Sequence, residues 1–474
     1  MGEGQQPMRS EYEVEADDRD ARLPCNWSSS KKWTNVLLIS LLTLISPFGS
    51  SMFAPSTASA MKDFHQSENP DLEAFSVSVF VLGYAFGPLV HAPLSEMYGR
   101  LIIYHVNSVL FIISNVACAL SVNLPMLIIF RFVTGLVGSS PLALGPASVA
   151  DIFKIEERGK ALAFWNLPVL LGPAIGPLVG SYLAAATSWR WNFWFLAIAM
   201  LAILVAAAAF LRESHLPTLL KRKARTQDKA REALAPGNSS EFSSQPRLKT
   251  FTSAVVRPSK LLFLSPIVFF LSVLAAINYG YIYIMFTTMS STFVERYDTF
   301  DERNVGLTYL AFGIGNVSGN IVLSVISDRI VKRGAARSGT MKPEYRLPPL
   351  LPGSLLVPAG LLLYGWTLER NVHWIAPLFG MLLIGFGTIL IFVPINAYLV
   401  DAFTEYAASA TAASTVLRSL GGGLLPLCGG KMYQALGDGI GNTILAVIGV
   451  VVAPVAFLIY FKGEQLRKKT QTSW

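Results

Sequence analysis

The sequence predicts an all-α membrane protein whose twelve transmembrane helices form two pseudo-symmetric six-helix bundles. Three observations predict it. Of 474 residues, 52% are hydrophobic and only 14% charged, where a soluble domain carries about 25% charged residues. Twelve apolar runs approach the roughly 20 residues that a bilayer crossing needs. A polar segment, 212–260, divides those runs six and six.

In chain order the runs lie near 36–58, 75–94, 102–122, 126–150, 161–186 and 191–211, then 261–286, 305–326, 350–366, 374–399, 407–428 and 443–460. The ninth, short and rich in Pro and Gly, departs most from an ordinary span. The expected organisation is a polar tail over 1–34, a first bundle over 35–211, a flexible linker over 212–260, a second bundle over 261–461 and a tail over 462–474. A polar stretch precedes the first run, so no cleavable signal is expected.

The net charge of +8 comes from topology rather than from nucleic-acid binding. Thirty of the 38 Lys and Arg residues fall in the tails and alternate loops on one side, six fall on the other, and Arg131 and Arg418 lie inside runs. Basic loops stay cytoplasmic, so both termini are expected there, with the lipid bilayer as the surrounding partner. The sequons at Asn26 and Asn238 are then on the wrong side for glycosylation. Cys25, Cys118 and Cys428 are odd in number and far apart, and the five His are scattered. Neither a disulfide framework nor a metal site is expected, and no cofactor.

The halves repeat landmarks in the same order. Leu94-Ser95-Glu96 follows run two, with Gly87 before the acid and Arg100 after it. Ile326-Ser327-Asp328 follows run eight, with Gly319 and Lys332 at matching distances. Asp151-Ile152-Phe153 follows run four, and Asp401-Ala402-Phe403 follows run ten. Repeated halves characterise secondary transporters, whose substrate site lies between them near the midplane.

At these residues the chain resembles the major facilitator superfamily, and within it the fungal 12-span drug:proton antiporter branch. The stretch from Gly87 to Arg100, which includes Gly99, resembles the loop signature after span two. Ala92, Glu96 and Leu101 stand where the pattern has Gly, Asp and a second basic residue. Arg131 to Gly138 resembles the span-four motif, and Gly172-Pro173-Ala174-Ile175-Gly176-Pro177 the span-five motif of antiporters. Asn26-Trp27-Ser28, Trp189-Arg190-Trp191 and Pro343 to Pro348 resemble signatures of the fungal branch.

The resemblance implies a latch of Glu96, Arg100 and Asp151, in which Glu96 could also cap a helix at its positive N-terminal end. An ordinary interfacial ion pair is the alternative. Asp328 and Lys332, with Asp401, would form the pseudo-symmetric latch. An Arg inside a span is costly and usually partnered, so Arg131 is a candidate for proton coupling or substrate contact, although it could snorkel outward. Arg418 is harder to snorkel. Carbonyls freed at Gly421-Gly422-Gly423 could satisfy it, or it could act in coupling. Gly172 and Gly176 would allow close helix approach, and Pro173 and Pro177 a bend.

Asn278, Tyr279 and Tyr283 of run seven and Asn396 of run ten are candidate cavity residues. Tyr279 and Tyr283 share a helix face and combine apolar rings with polar tips. A place in the interfacial belt is the alternative. His91 and His105 are expected to be satisfied structurally. No Asp or Glu falls inside any run, so rim acids such as Asp151 and Asp401 would have to carry coupling. Two cations without acids suit neutral, weakly acidic or anionic cargo better than polyamines or other cations.

Gly159-Lys160 and Gly430-Lys431 are followed by Ala161 and Met432, which excludes a Walker A loop. An enzyme is not expected. The expected function is proton-coupled export of drugs, toxins or secondary metabolites by a functional monomer in the plasma membrane, with a vacuolar or vesicular membrane as the alternative location. A facilitative uniporter or an importer is the alternative.

Overall fold

The computed structural model describes residues 23–66, 69–220, 247–339, 342–403 and 407–471. Among them the backbone is helical, with short connections and no strand. Helices suit hydrocarbon because each backbone polar group finds its partner within the segment.

Among the described residues eleven segments are long and apolar enough to cross a bilayer. Span one is Ser29–Asp63, two Pro70–Tyr98, three Arg100–Ala119, four Leu124–Ile152, five Glu157–Ala186 and six Arg190–Phe210. Span seven is Pro266–Arg296, eight Val305–Gly334, nine Pro343–Glu369 and ten Ile375–Ala402. The last segment, Ala407–Phe461, is 55 residues long, and as one straight helix it would reach about 80 Å, far beyond a core of about 30 Å. It contains two passes. Gly437, at φ 77° and ψ 168°, breaks the helix, and Tyr433 Oη before the corner donates to Asn442 Oδ1 after it at 3.1 Å. Spans eleven and twelve therefore meet at Gly437, a conformation that only glycine takes without strain.

Span seven begins later than expected, because Ser265 leaves helical geometry and Pro266 starts the new helix, a position where the missing N–H costs nothing. A separate helix, Arg247–Leu264, precedes it, so part of the stretch read as a linker is helical. Residues 221–246, including the basic run at 221–223, lie outside the described residues. The final helix runs to Gln471, into the stretch read as a tail. The short ninth run is a full span, opened by a turn over Pro343–Arg346.

The repeat is visible in the packing. A Cβ on Gly83 or Gly87 of span two would strike the backbone of Phe132 and Leu136 in span four, and one on Gly135 would strike Phe80 O at 1.9 Å. The second half matches this. Gly315 and Gly319 of span eight meet Leu382 and Phe386 of span ten, and Gly385 meets Phe312 O at 2.3 Å. Small residues let the two backbones touch in the same place in each half.

The two faces of the molecule differ. The face carrying the described chain ends is here called the terminal face. Towards the opposite face, Phe53, Val77, Val81 and Phe193 of the first half join one apolar core with the second half. Polar contacts between the halves lie there too. Lys431 pairs with Asp71 at 2.5 Å, Ser78 Oγ donates to Gly423 O at 2.8 Å, and Tyr283 Oη donates to Ser50 Oγ at 3.1 Å. Gly306 and Gly313, opening span eight, sit against Pro177 and Ala174 of span five.

Candidate functional site

The junction of the halves is built from spans one, two, seven, ten and eleven. Tyr283, deeply buried, reaches Ser50 of span one, and one turn away Tyr279 meets it edge-on at 5.1 Å. Span seven extends to Arg296, so both tyrosines lie mid-span, and the interfacial-belt reading is replaced by a place at this junction. Tyr84 of span two shares a hydrogen bond with Ser46 at 2.7 Å and lies within electrostatic reach of Tyr279, Arg131 and Arg418.

Arg131 is enclosed, with 1% of its surface exposed, so it does not snorkel. Its guanidinium lies over Phe53, Phe80 and Phe193, at 5.1, 5.3 and 5.7 Å from their centroids. It donates to Val77 O at 3.2 Å and Gly49 O at 3.5 Å. Three ring faces and two carbonyls replace the usual carboxylate, since ring quadrupoles attract a desolvated cation.

Arg418 is half-buried on span eleven. Its guanidinium lies 5.0 Å from the Tyr279 ring and 5.5 Å from Phe392 of span ten. The following glycines do not satisfy it. Gly421 O takes Leu425 N–H and Gly423 O takes Ser78 Oγ, while a Cβ on Gly422 would strike Tyr279 at 2.6 Å. Those glycines serve close packing instead, and Arg418 Nε is buried without a hydrogen bond.

Asn278 is not brought to this point. Asn278 is buried and turns into the second half, where its Nδ2 reaches Thr388 Oγ1 at 3.5 Å. Asn396 is exposed on span ten, one turn beyond Phe392. A depression of about 470 Å³ on the opposite face, lined by Asp63, His65 and Asn123 among others, belongs to the first half alone and is separate from the junction.

On the terminal face, Arg100 Nε stands 3.5 Å from Asp151 Oδ2 and its Nη1 donates to Ser95 Oγ. Leu94 is half-buried against the first-half core. Glu96 is exposed and does not cap span three. That cap is Glu213, which follows span six. Its Oε1 accepts Arg100 N–H at 3.0 Å and its Oε2 accepts Leu101 N–H at 3.2 Å. Gly99 has φ 98°, and a Cβ there would stand 2.3 Å from Glu213 Oε2. Nothing local in the sequence marks Glu213, because its partners lie more than a hundred residues away.

In the second half Asp401 pairs with Arg346 of the Pro343–Arg346 turn at 2.9 Å, not with Lys332, which is exposed. The side chain of Asp328 lies outside the described residues. The repeat therefore keeps the acid and draws the cation from a different element.

Span five is wedged between the halves. Gly172 and Gly176 face span one, where a Cβ would stand 2.7 Å from Pro47 Cβ and 2.7 Å from Ser51 Oγ. Ala174 and Pro177 face span eight, while Pro173 lies within the helix. Trp189 Nε1 and Arg190 both bond Asp63 Oδ2 at 2.8 Å on the opposite face. His91 bonds Leu136 O at 2.9 Å and His105 bonds Leu101 O at 2.8 Å, so both have structural partners.

A sequence profile of the Major Facilitator Superfamily matches residues 39–426. The chain is 48% identical over 450 residues to "Efflux pump radE" of Floropilus chiversii, covering 94% of this chain and 83% of that protein. It is 45% identical over 448 residues to "MFS-type transporter penM" of Penicillium rubens, covering 94% and 88%. In fold it is similar to the xylose transporter XylE of E. coli in a partially occluded inward-open conformation, with a TM-score of 0.69 at 18% identity over 91% of this chain and 98% of that one.

Proposed function

This chain belongs to the Major Facilitator Superfamily, and from that premise we propose that it exports small, neutral or weakly acidic organic compounds by proton-coupled alternating access. The observation that carries the reading is the junction itself. Arg131 and Arg418 belong to opposite halves and flank Tyr84, Tyr279 and Tyr283, and Tyr283 bonds Ser50 across the boundary. Polar groups gathered between two repeats at mid-span are where transported compounds bind.

The contacts between halves toward the opposite face support an arrangement that admits cargo from the terminal face. Rocking the halves would break Asp71–Lys431 and open the other side. In this reading Arg100–Asp151 and Arg346–Asp401 hold each half's terminal end, and Gly172, Pro173, Gly176 and Pro177 let span five slide against its neighbours. Arg131, Arg418, Asp151 and Asp401 are the groups through which proton movement would couple. The excess of basic residues supports cytoplasmic termini, in the plasma membrane for an exporter. One copy suffices, because the whole junction lies within a single chain. Relatives named as an efflux pump and as transporters of this superfamily support export and small-molecule cargo.

Among the described residues no carboxylate pairs with Arg131 or Arg418, and this favours facilitated passage as a second reading. Dye efflux from cells expressing the chain, with ATP held constant, separates the two. Efflux that collapses with a protonophore supports the antiporter. Equilibration that ignores the protonophore replaces it with a facilitator.

A further inference from the structure

The two arginines of the junction are chemically unlike. Arg131 is enclosed, with rings on several sides and two backbone acceptors for its terminal nitrogens, so that only its Nε lacks a hydrogen bond. Arg418 is held by two ring faces and has neither an ion pair nor a hydrogen bond with a described residue. It sits one turn toward the terminal face from Gly422, where span eleven closes on Tyr279 and on Val81 of span two. Arg418 thus lies on the terminal-face side of the sealed part of the junction.

We propose that Arg418 is the subsite that takes the anionic group of the cargo, a carboxylate, phenolate or enolate, and that Tyr279 and Phe392 position it. The guanidinium offers donors in a planar fork matched to two-oxygen anions. Its buried Nε lacks an acceptor, which is costly, and the rings offset only part of that cost. An anion arriving between the halves supplies the missing partner. Tyr279 meets Phe392 edge-to-face, with centroids 5.7 Å apart, so the rings fix the fork from two directions. Arg131 has no donor fork open to a ligand and is not part of this subsite. The proposal rests on the transport reading and adds the sign and the seat of the cargo's charge.

The test uses two dyes that share one ring system, anionic fluorescein and cationic rhodamine 123. Binding of each to the full chain in nanodiscs is read by fluorescence anisotropy, and folding is checked by thermal unfolding. The wild type is expected to bind fluorescein at least tenfold more tightly than rhodamine 123. Arg418→Gln is expected to lose at least tenfold for fluorescein and to leave rhodamine 123 within about twofold. If Arg418→Gln does not fold, Arg418→Lys decides the matter. It keeps the charge without the fork, and a fluorescein preference reduced at least threefold supports the proposal. An unchanged preference in the folded variant overturns it, as does a wild type that favours rhodamine 123 or binds neither dye. Efflux of bound fluorescein from proteoliposomes reports separately on transport. A dye that binds through Arg418 but is not carried would remove the transport reading and leave the subsite standing.

Discussion

The carboxylate of Glu213 caps the helix that begins at Arg100, taking the backbone N–H of Arg100 at 3.0 Å and of Leu101 at 3.2 Å. It ties the end of span six to the start of span three. An acid at a helix N-terminus satisfies otherwise orphaned donors and meets the positive end of the helix dipole. Glu213→Ala is expected to cost about 1–2 kcal/mol, read as a lowered unfolding temperature in detergent, with Glu213→Gln intermediate. Equal unfolding temperatures for all three proteins would refute the cap.

Gly99 makes room for that cap. Its φ of 98° with ψ of 157° costs an L-residue about 1–3 kcal/mol, and a methyl there would lie 2.3 Å from Glu213 Oε2. Gly99→Ala is therefore expected to be destabilising, and less so once Glu213 is already Ala. A double-mutant cycle should give a coupling of at least about 0.5 kcal/mol. Strict additivity would mean that the steric contact plays no part.

Arg131→Lys retains the charge and is not expected to be tolerated. A compact ammonium cannot spread over three rings and reach two carbonyls at once. The expected cost is about 1–3 kcal/mol in unfolding free energy, with dye export reduced more than tenfold. Export at the wild-type level would show that charge alone suffices.

Asp71 and Lys431 hold the halves together on the opposite face. Replacing both with Cys, in a background where exposed Cys428 is Ser, places a thiol on each half. A short bifunctional thiol reagent is expected to abolish export, and cleavage of the link to restore it. Export that continues under complete cross-linking would mean that this face does not open.

Arg346 and Asp401 are partly exposed, with side-chain exposures of 27% and 35%, so their pairing is worth no more than about 1 kcal/mol. Arg346→Asp is expected to impair export well beyond its effect on stability, and adding Asp401→Arg to recover much of the loss. Failure of the double variant to exceed the single one would assign the loop a role apart from this pair.

Much of the architecture was legible because it depends on local properties. Apolar run length sets a span, and the distribution of Lys and Arg sets which loops share a side. Repeated landmarks such as Gly87 with Gly319 and Asp151 with Asp401 mark the two halves. The Arg100–Asp151 pair could be anticipated for the same reason, since both residues stand at span ends on one face.

What the sequence by itself determined was a twelve-span chain with two cations inside its apolar runs and no acid inside any of those runs. Only the tertiary structure decided what each cation faces. It enclosed Arg131 in three rings drawn from spans one, two and six, and set Arg418 against Tyr279 and Phe392 with its fork unanswered. It gave Asp401 to Arg346 rather than to Lys332, and the cap of span three to Glu213 rather than to Glu96. The physical reason is distance along the chain. Hydropathy and helix periodicity act within a few turns, whereas partners for buried charges are set by which helices pack side by side, and small residues such as Gly135 and Gly385 control that approach.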